Sequence, residues 1–527
     1  MRYRTAGMPG HFARTAAAFL IGTSVVTVAG LAGAGAADAA AARRPAATAP
    51  ATAQAHARAR AAAAAKATAA AATAGVKVST APAGRSAVAL RTVVVGSAAA
   101  LIAAVTVARP GDRIEVGAGA YSLAVPLKIN ASGTVVAPIV VAAAVGAKPE
   151  IRGNGTLEVN GSYVTIDGLT FTNADTVRIT STATHAKVTG NYFHLARAAQ
   201  NWLQVAGDDA EIARNQFVGK SSAGVFLQVI GGGASAMARR VWVHHNYFAD
   251  HSFSGSNGGE AIRVGVSARQ HAVASTIIED NLLERVNGDQ EAISVKSSGN
   301  IIRRNTIRDS KGTITLRHGA NNLVEGNLLL GGTTGIRVFG NDQTVINNVV
   351  QDSTRNRLIE VGGGDVRDDW ANADDHDAAD RVLIAFNTVV TSSKTSTALD
   401  IGDPDDQMHP DAVTVADNIL ISGRRAADQG RGTNLTWVGN LGAGSIVGFT
   451  TGFRVADTKL SMDSGGVYRP AAGSAATGAA IGSWAVVSLD QDGQVRPGVK
   501  RSVGADEPST NAATHVEPAT RLSLGLI

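Results

Sequence analysis

Short runs of β-branched and aliphatic residues recur along the chain from about Val93, and many of them end at an Asn followed by a mostly apolar pair. Such runs are typical of strands, because branched side chains pack well on a pleated, half-buried surface. The recurrent asparagines are Asn191, Asn215, Asn246, Asn281, Asn305, Asn327, Asn348, Asn387, Asn418 and Asn440. Their successive spacings are 24, 31, 35, 24, 22, 21, 39, 31 and 22 residues. The spacings of 21 to 24 residues define a repeating unit, and the longer ones are that unit with an inserted loop.

A repeat of this length, built from strands with no helical pattern between them, predicts a solenoid in which each turn of the chain stacks on the previous one. One unit holds roughly three short strands and their corners. The sequence therefore predicts an all-β fold, a parallel β-helix. The alternative is a β-sandwich in which the asparagines mark ordinary turns. Sandwich hairpins would show turn signals every ~8 to 12 residues and paired Asn-Gly loops, and these are scarce in the chain.

The recurrent Asn fits a corner of the coil, where its amide tolerates a left-handed backbone and bonds to the equivalent Asn one coil away. Before the first coil, the weakly helical run 98–108 precedes the strand 113–116. We expect this short N-terminal helix to cover the open end of the solenoid and to protect its edge from association.

Four places carry a base next to aliphatic residues in a strand, and alternation directs such a base away from the core. These bases are Arg263, Lys296, Arg317 and Arg337. They lie about one coil, or a small multiple of it, apart. Stacked coils would place them in one column on an outer face, which favours an anion-binding groove over a solvated face with scattered charges.

Two acids, Asp289 and Glu291, precede Lys296. Glu291 shares strand parity with Ile293 and Val295, which should be buried, so regular strand geometry cannot include it. We expect both acids in a corner, with the strand beginning near Ala292. Two carboxylates beside an outward Lys form an oxygen-rich calcium site if Asn257 adds a neutral ligand. The alternative is a Lys296–Glu291 ion pair without function.

The N-terminal residues differ in composition from the rest of the chain. Arg2, Arg4 and Arg14 precede an uncharged stretch with small-residue cleavage options, which predicts a secretory signal in residues 1–39 rather than a membrane anchor. Residues 40–87 are rich in Ala, Thr, Pro and Arg, as expected of a disordered linker. We assign 88–507 to the β-helix and 508–527 to a C-terminal tail. The chain has no cysteine, so an exported body holds together without disulfides.

The formal charge of +5 is a property of the leader and not of the body. Residues 1–87 hold ten of the 48 Lys and Arg but one of the 43 Asp and Glu, which leaves 38 bases and 42 acids in the remainder. This removes the charge-based case for nucleic-acid binding.

Five blocks of the sequence resemble polysaccharide lyase family six, which contains alginate lyases and chondroitinase B. The blocks are GKSSAGVFLQV (219–229), NGGEAIRVG (257–265), GDQEAISVKS (288–297), TITLRHGANNLVEGN (313–327) and TGIRVFG (334–340). Residues 490–507 resemble the closing segment of the family, so the resemblance spans roughly residues 90 to 507. It implies a right-handed parallel β-helix, in agreement with the repeat.

The resemblance also implies roles for individual residues. Lys296 matches the base that removes the C5 proton of a uronate, and Arg317 matches the residue on the acid side of the elimination. The calcium ligands correspond to Asn257, Asp289 and Glu291, and the groups lining the groove to His318, Arg337, Arg263 and Lys220. Asp289 departs from the family, which often has the longer Glu there, and this weakens or displaces the expected Ca²⁺.

These residues imply a secreted, monomeric lyase that acts on an anionic polysaccharide by β-elimination, without a nucleic-acid partner or stable membrane association. Alginate is favoured over a dermatan-type chain because most of the family resembles alginate lyases. The alternatives are a carbohydrate-binding solenoid without catalysis and a hydrolase that uses paired carboxylates. The acid-rich segment 365–380 offers carboxylates for a hydrolase, but it is typical of a solvated insertion loop.

Overall fold

Three parallel ladders of short strands wind into one solenoid in the computed structural model. The model describes residues 91–172, 175–195, 201–255, 257–369, 375–403, 405–482, 484–508 and 515–526. The predicted signal (1–39) and the predicted linker (40–87) lie outside the described residues. The all-β parallel β-helix predicted from the repeat is confirmed.

Each coil contributes one strand to each of three faces, which we call the first, second and third face in chain order. The first face contains 14 strands: Arg91–Val95, Asp112–Val116, Ile139–Ala143, Val164–Asp167, Lys187–Thr189, Glu211–Ala213, Trp242–His244, Ile277–Glu279, Ile301–Arg303, Leu323–Glu325, Thr344–Ile346, Leu383–Ala385, Thr414–Ala416 and Thr436–Val438. All pairings along this face are parallel.

The second and third faces join at the long strand Ile419–Gln429, whose two halves pair with different ladders. The second face contains Gly119–Leu123, Pro149–Gly153, Thr170–Thr172, Tyr192–His194, Gln216–Lys220, Tyr247–His251, Leu282–Val286, Thr306–Arg308, Leu328–Leu330, Val349–Gln351, Thr388–Thr391, Asn440–Val447 and Phe453–Val455. The third face contains Leu127–Ile129, Leu157–Val159, Val177–Ile179, Leu203–Val205, Leu227–Val229, Ile262–Gly265, Glu291–Lys296, Thr313–His318, Ile336–Val338, Arg357–Val361 and Thr397–Ile401. A short antiparallel pair, Leu460–Met462 and Tyr468–Pro470, follows the coils.

The recurrent asparagines form one ladder at the corner between the first and second faces. In each step the side-chain amide donates to the carbonyl oxygen of the next Asn, at 2.9 to 3.0 Å over nine consecutive bonds. The ten side chains are buried. The predicted hydrogen bonding between coils is therefore confirmed.

The left-handed backbone of this corner lies one residue earlier than expected. The residue before each ladder Asn has φ between 52° and 68°, including bulky residues such as Phe386 at 55°. A non-glycine residue in this region costs about 1 kcal/mol or more. The corner thus has two residues throughout, one in a left-handed conformation and one Asn whose amide fixes the turn.

The interior is packed by like residues stacked along the solenoid axis. Phe171, Phe193, Phe217 and Phe248 lie on successive coils with ring centroids 4.5 to 4.9 Å apart and nearly parallel planes. Each ring is fully buried. Contacts of this geometry add to the free energy gained from burial alone.

A helix, Ala98–Thr106, covers the N-terminal end as predicted, and it ends two residues earlier than the sequence run suggested. The Ser97 hydroxyl caps it by accepting the Ala100 N–H at 3.2 Å. Leu101, Ala104 and Val105 are buried against the first strands of the three faces. A single 3-10 turn, Ser267–Arg269, lies in a loop after the third face.

The segment after residue 456 returns along the asparagine corner. Arg496 donates to Asn347 Oδ1 at 2.9 Å and lies over the Phe386 ring. Asp417 accepts the Ile481 N–H at 2.9 Å, and Arg308 donates to the Ala519 carbonyl at 2.9 Å. The predicted tail therefore packs on the coils over the part described, 515–526.

No helix among the described residues has the length and apolar character needed to cross a bilayer.

Candidate active site

The residues singled out from the sequence converge on four neighbouring strands of the third face. These strands are Ile262–Gly265, Glu291–Lys296, Thr313–His318 and Ile336–Val338. Lys296 pairs with Gly265 on one side and with His318 on the other. Arg263 and Arg337 belong to another column, with Ser294 and Thr315 between them. The prediction that all four bases share one column is therefore wrong. Lys296 and Arg317 lie two positions further along their strands than the column that contains Arg263 and Arg337.

Two bulges change the direction of the side chains at this site. The register passes from Val295–Leu316 to Lys296–His318, which leaves Arg317 as the extra residue. It also passes from Glu291–Thr313 to Ile293–Ile314 and so leaves out Ala292. A bulge re-aims the flanking side chains and breaks strict alternation. This accounts for the parity conflict at Glu291.

Glu291 is the first residue of its strand, and only Asp289 lies in the preceding turn. The expectation that both acids lie in a corner, with the strand beginning near Ala292, is wrong for Glu291. Asp289 accepts the N–H of Glu291 and, from the neighbouring coil, the N–H of Gly259, each at 3.3 Å. A Cβ at Gly259 would lie 2.3 Å from the carbonyl oxygen of Gly288, so this close approach requires glycine.

Glu260 is a buried acid of the site that sequence reasoning missed. Its Oε1 lies 3.8 Å from Lys296 Nζ and 3.6 Å from Arg263 Nη1. The side chain is 1% exposed, and neither oxygen has a hydrogen-bond partner among the described residues. Its position directly after Gly258 and Gly259 in the 257–265 block was the available signal. The sequence left open an ion pair between Lys296 and Glu291, whereas in the structure Lys296 forms its ion pair with Glu260.

Lys296 is the central amine of the site. It is 7% exposed, and burial lowers its pKa. The charges of Glu260 and Glu291 oppose this shift, whereas those of Arg317 and Arg263 add to it. A buried amine with a lowered pKa is deprotonated more readily than a lysine in water, as a general base requires.

Glu291 faces two guanidinium groups. Arg317 Nη1 donates to its Oε1 at 3.2 Å, and Arg337 Nη1 lies 4.0 Å from the same oxygen. The other oxygen, Oε2, is buried without a hydrogen-bond partner among the described residues. Arg337 also contacts Glu360 at 3.3 Å and lies over the Phe339 ring. One carboxylate thus links bases from two coils.

His318 packs against an insertion that the sequence did not connect with the site. Its ring stacks on His376 with centroids 5.2 Å apart, and both ring nitrogens are buried without partners among the described residues. Burial, reinforced by His376, lowers the pKa of His318 to about 3, so its imidazole is neutral. In the described part of 365–380, Asp365 and residues 367–369 are exposed, as expected of a solvated loop, whereas Asp377 and Asp380 at its other end are buried.

Lys220 and Asn257 lie at the periphery. Lys220 ends a strand of the second face, donates to Ser222 Oγ at 3.1 Å and lies 5.3 Å from the Trp202 ring. Burial lowers its pKa to about 8. Asn257 is exposed in the loop beside the Gly288–Asp289 turn. The register therefore brings together seven of the nine predicted residues on the third face and the turn before it, with Lys220 and Asn257 outside that group.

The donor groups of the site are of the chemical type that a hard divalent cation prefers. Three acids, Glu260, Asp289 and Glu291, lie on two adjacent coils, and three carboxylate oxygens of the two glutamates are buried without a hydrogen-bond partner among the described residues. Oxygens of this kind are the ligands that Ca²⁺ prefers. An unpaired buried carboxylate oxygen is costly, and a cation would remove that cost.

Among the described residues, the one group of acids and histidines whose ligand atoms all lie within 4.8 Å of one another is Asp490, Asp492 and Asp506, and the acids of the site do not come this close together. Arg469 already neutralises the group of three, with Nη1 2.7 Å from Asp492 and 3.2 Å from Asp506. Burial raises the pKa of Asp506, which favours its neutral form. This group is therefore explained as a buried ion-pair network in the C-terminal segment.

Solved structures share this fold. The PL6 family alginate lyase AlyGC has a TM-score of 0.66 at 24% identity, over 80% of this chain and 60% of that one. A mannuronic acid specific polysaccharide family 6 lyase from human gut microbiota has a TM-score of 0.60 at 24% identity, over 69% and 91%. Pedsa3628 from Pseudopedobacter saltans, a PL6 family polysaccharide lyase, has a TM-score of 0.58 at 22% identity, over 69% and 92%.

The chain spans about 60% of the length of AlyGC. A search of the curated proteins finds no match. The family model described as Chondroitinase B matches residues 95–420, which is more than half of the chain and includes every residue of the candidate active site. The chain therefore belongs to the Chondroitinase B family, polysaccharide lyase family six.

Proposed function

We propose that this protein is a polysaccharide lyase that cleaves uronate-containing chains by β-elimination, with alginate as the favoured substrate. The observation that carries the proposal is the buried Lys296 with a lowered pKa, held between Glu260 and the Arg317–Glu291 pair. A base, a guanidinium group and a carboxylate cluster on adjacent strands match the three requirements of the reaction. These are proton removal, charge neutralisation and departure of the linking oxygen.

Lys296 acts as the base. In its neutral form it removes the C5 proton, the electron pair forms the C4–C5 double bond, and the C4–O bond breaks to release the neighbouring sugar. Burial supplies the neutral amine by disfavouring its charged form. A base contributes most when its pKa lies near the working pH.

Glu260, Asp289, Glu291 and the peripheral Asn257 would hold a Ca²⁺ ion. Such a cation supplies Lewis-acid stabilisation of the charge that develops on the substrate carboxylate as C5 loses its proton. Asp289 has a shorter side chain than Glu, so we expect weaker calcium binding than a glutamate would give.

Arg317 is placed to orient the substrate and to stabilise negative charge. Its guanidinium keeps its proton at all working pH values, which makes it a poor acid, so water completes the protonation of the leaving oxygen. Neutral His318, buried against His376, supports the site beside Lys296, and Arg263 and Arg337 attract the anionic chain.

The choice of alginate rests on similarity, since several neighbours of this fold are described as alginate lyases and one is a complex with a trisaccharide. A dermatan-type glycan is the second candidate, because the matching family is described as Chondroitinase B. Residues 1–39 would direct export, and the mature protein would act outside the cell as a monomer. Sequencing the N-terminus of the exported protein and measuring its mass in solution test these two points.

The function is tested by incubating the full chain with alginate, polymannuronate, polyguluronate and dermatan sulfate in the presence of calcium. A lyase produces an unsaturated uronate, so ultraviolet absorbance rises on at least one polymer, and we expect the largest rise on an alginate polymer. Binding without any rise in absorbance on all four would favour the carbohydrate-binding alternative and overturn the proposal.

A further inference from the structure

The insertion that follows the strand Arg357–Val361 brings two carboxylates and one amide together, away from the candidate active site. Its described residues are 362–369 and 375–382. The backbone N–H of Asp368 donates to Asp377 Oδ1 at 2.9 Å. Asn341, from the equivalent corner one coil earlier, donates its side-chain amide to Asp368 Oδ1 at 2.8 Å and to Asp377 Oδ2 at 3.0 Å. We call these three residues the insertion cluster.

The two acids of the insertion cluster have no ion pair among the described residues. Bases of the same corner are bound to other acids, since Arg367 pairs with Asp380 at 2.9 Å and Arg381 with Asp342 at 2.8 Å. Burial raises the pKa of Asp377, and the charges of the other acid of the cluster and of Asp380 add to this shift. The cluster therefore holds two carboxylates that no paired base neutralises.

The amide of Asn341 is the second sign of an unmet need at this place. The residue is 5% exposed, and its Oδ1 is buried without a hydrogen-bond partner among the described residues. Burying an amide oxygen without a donor costs free energy. A half-turn of the amide exchanges its oxygen and nitrogen and keeps the shape of the side chain. The oxygen then faces the two carboxylates, which is favourable only when a cation lies between the three oxygens.

The chemistry and spacing of the insertion cluster suit Ca²⁺. Carboxylate and amide oxygens are ligands that this ion prefers, and its flexible coordination accepts water in the remaining positions. The two carboxylate oxygens lie 2.8 and 3.0 Å from the same amide nitrogen. Ca–O distances are about 2.3 to 2.6 Å, so an ion near that point requires only a small approach of the oxygens. The side chain of Asp368 is exposed and can make this adjustment.

The insertion cluster is separate from the acids of the candidate active site but is linked to that site through one residue. His376 directly precedes Asp377. Its ring stacks on His318, with centroids 5.2 Å apart, and lies 4.8 Å from the ring of Phe339. An ion held by the cluster would therefore fix the backbone beside His376 and keep this ring against the third face.

We propose that the insertion cluster is a second calcium site with a structural role, in which Asn341, Asp368 and Asp377 bind one Ca²⁺ and so fasten the insertion to the preceding coil. The inference goes beyond the proposed function, because it requires neither a substrate nor an elimination. It also differs from the calcium considered at the third face, which would act on the substrate carboxylate.

Calcium binding is tested by calorimetric titration of the full chain carrying Asp289→Asn and Glu291→Gln, which remove the acids that flank the turn at the third face. We expect this protein to bind one Ca²⁺ per chain. Adding Asp377→Asn should weaken the binding at least about tenfold, because a charged ligand is lost. The matched control is Asp405→Asn, which removes an exposed charge from the loop that contacts the insertion at Gly363. Absence of binding before Asp377 is changed, or equal binding by the two variants, would overturn the site.

The role of the amide is tested by Asn341→Asp, with the thermal midpoint measured in chelator and in added calcium. We expect a lower midpoint in chelator, because three carboxylates then repel one another, and a larger rise on adding calcium than the parent shows. An equal loss under both conditions would mean that Asn341 serves only as a donor to the two acids, and it would overturn the site. Calcium binding at the cluster without an absorbance rise on any polymer would disprove the lyase function and leave this site standing.

Discussion

Two regions of the solenoid, the asparagine ladder and the candidate active site on the third face, treat buried polar groups in opposite ways. At the asparagine ladder every side-chain amide donates to the next coil and every step has nearly the same length, so the corner is closed and repetitive. On the third face around Lys296, Glu260 and Glu291 keep three buried oxygens without a hydrogen-bond partner among the described residues. Both regions are buried, but of the two only the site on the third face keeps carboxylate oxygens free to bind a proton or a cation.

The difference shows where the fold holds itself together and where it can do chemistry. Buried polar groups in native proteins are almost always paired, so a cluster of unpaired ones is informative. The side-chain amides of the ladder fix the register between coils, whereas the third face keeps charged groups available to a ligand. The following variants test this distinction.

The largest effect is expected at Lys296. Lys296→Ala removes the base, so turnover should fall by about 10³-fold or more, in the range known for general bases. The measurement is the rate of absorbance increase on alginate, together with the binding of a long oligosaccharide. The fold should persist, since the ladder corner is untouched. A parallel loss of the thermal midpoint would show that Lys296 serves as a structural ion-pair partner of Glu260 and not as the base.

The opposite result is expected at the ladder. Asn305→Ala removes the oxygen that accepts the Asn281 backbone N–H and side-chain amide, and the amide that donates to Asn327 and to two backbone carbonyls, which should cost about 3 kcal/mol of stability. The midpoint of denaturant unfolding measures this cost. Asn130→Ala, at an exposed Asn near the N-terminal end, is the control and should change stability by less than ~0.5 kcal/mol. Equal midpoints for the two variants would contradict the structural importance of the ladder.

A smaller effect is expected from Glu260→Gln, which keeps the shape of the side chain but removes its charge. If Glu260 helps to hold calcium, the variant should need about tenfold more added Ca²⁺ to recover activity after chelation. At saturating calcium the acidic limb of the pH profile should move to lower pH. The sign follows because the negative charge of Glu260 raises the pKa of Lys296, so its removal lets that pKa fall further. An unchanged calcium requirement together with an unchanged pH limb would exclude both roles.

The smallest effect is expected at the insertion. His376→Ala removes a stacking partner of His318, and such contacts contribute about 0.5 to 1.5 kcal/mol. We expect KM for alginate to rise about two- to tenfold while kcat changes little, as measured by initial rates. A large loss of kcat would mean that His376 takes part in the reaction itself.

The ladder could be predicted from the sequence, because a periodic Asn reports both the coil length and the corner. The local register of the strands at the candidate active site could not be predicted in this way. Bulges at Ala292 and Arg317 depend on how neighbouring coils fit together; they break the alternation at Glu291 and pair Lys296 with His318 instead of Arg317. Strict alternation is the best available assumption, and it fails at the site.

Glu260 and His376 were missed for different reasons. Glu260 stands inside a block that drew attention to Asn257 and Arg263, and only its burial shows that its carboxylate faces Lys296. His376 lies 58 residues after His318 in an acid-rich stretch that reads as an exposed loop. Contacts between an insertion and a distant coil leave no periodic signal.

The two-residue corner at the ladder also limits where residues can be inserted into a coil. Insertions there would break the amide chain, so variation in coil length is confined to the other two corners, such as 362–382 between the third and first faces. This corner borders the candidate active site, where His376 stacks on His318. Loops that alter which chains are accepted can therefore be gained, lost or transplanted in the laboratory while the scaffold beneath them keeps its shape.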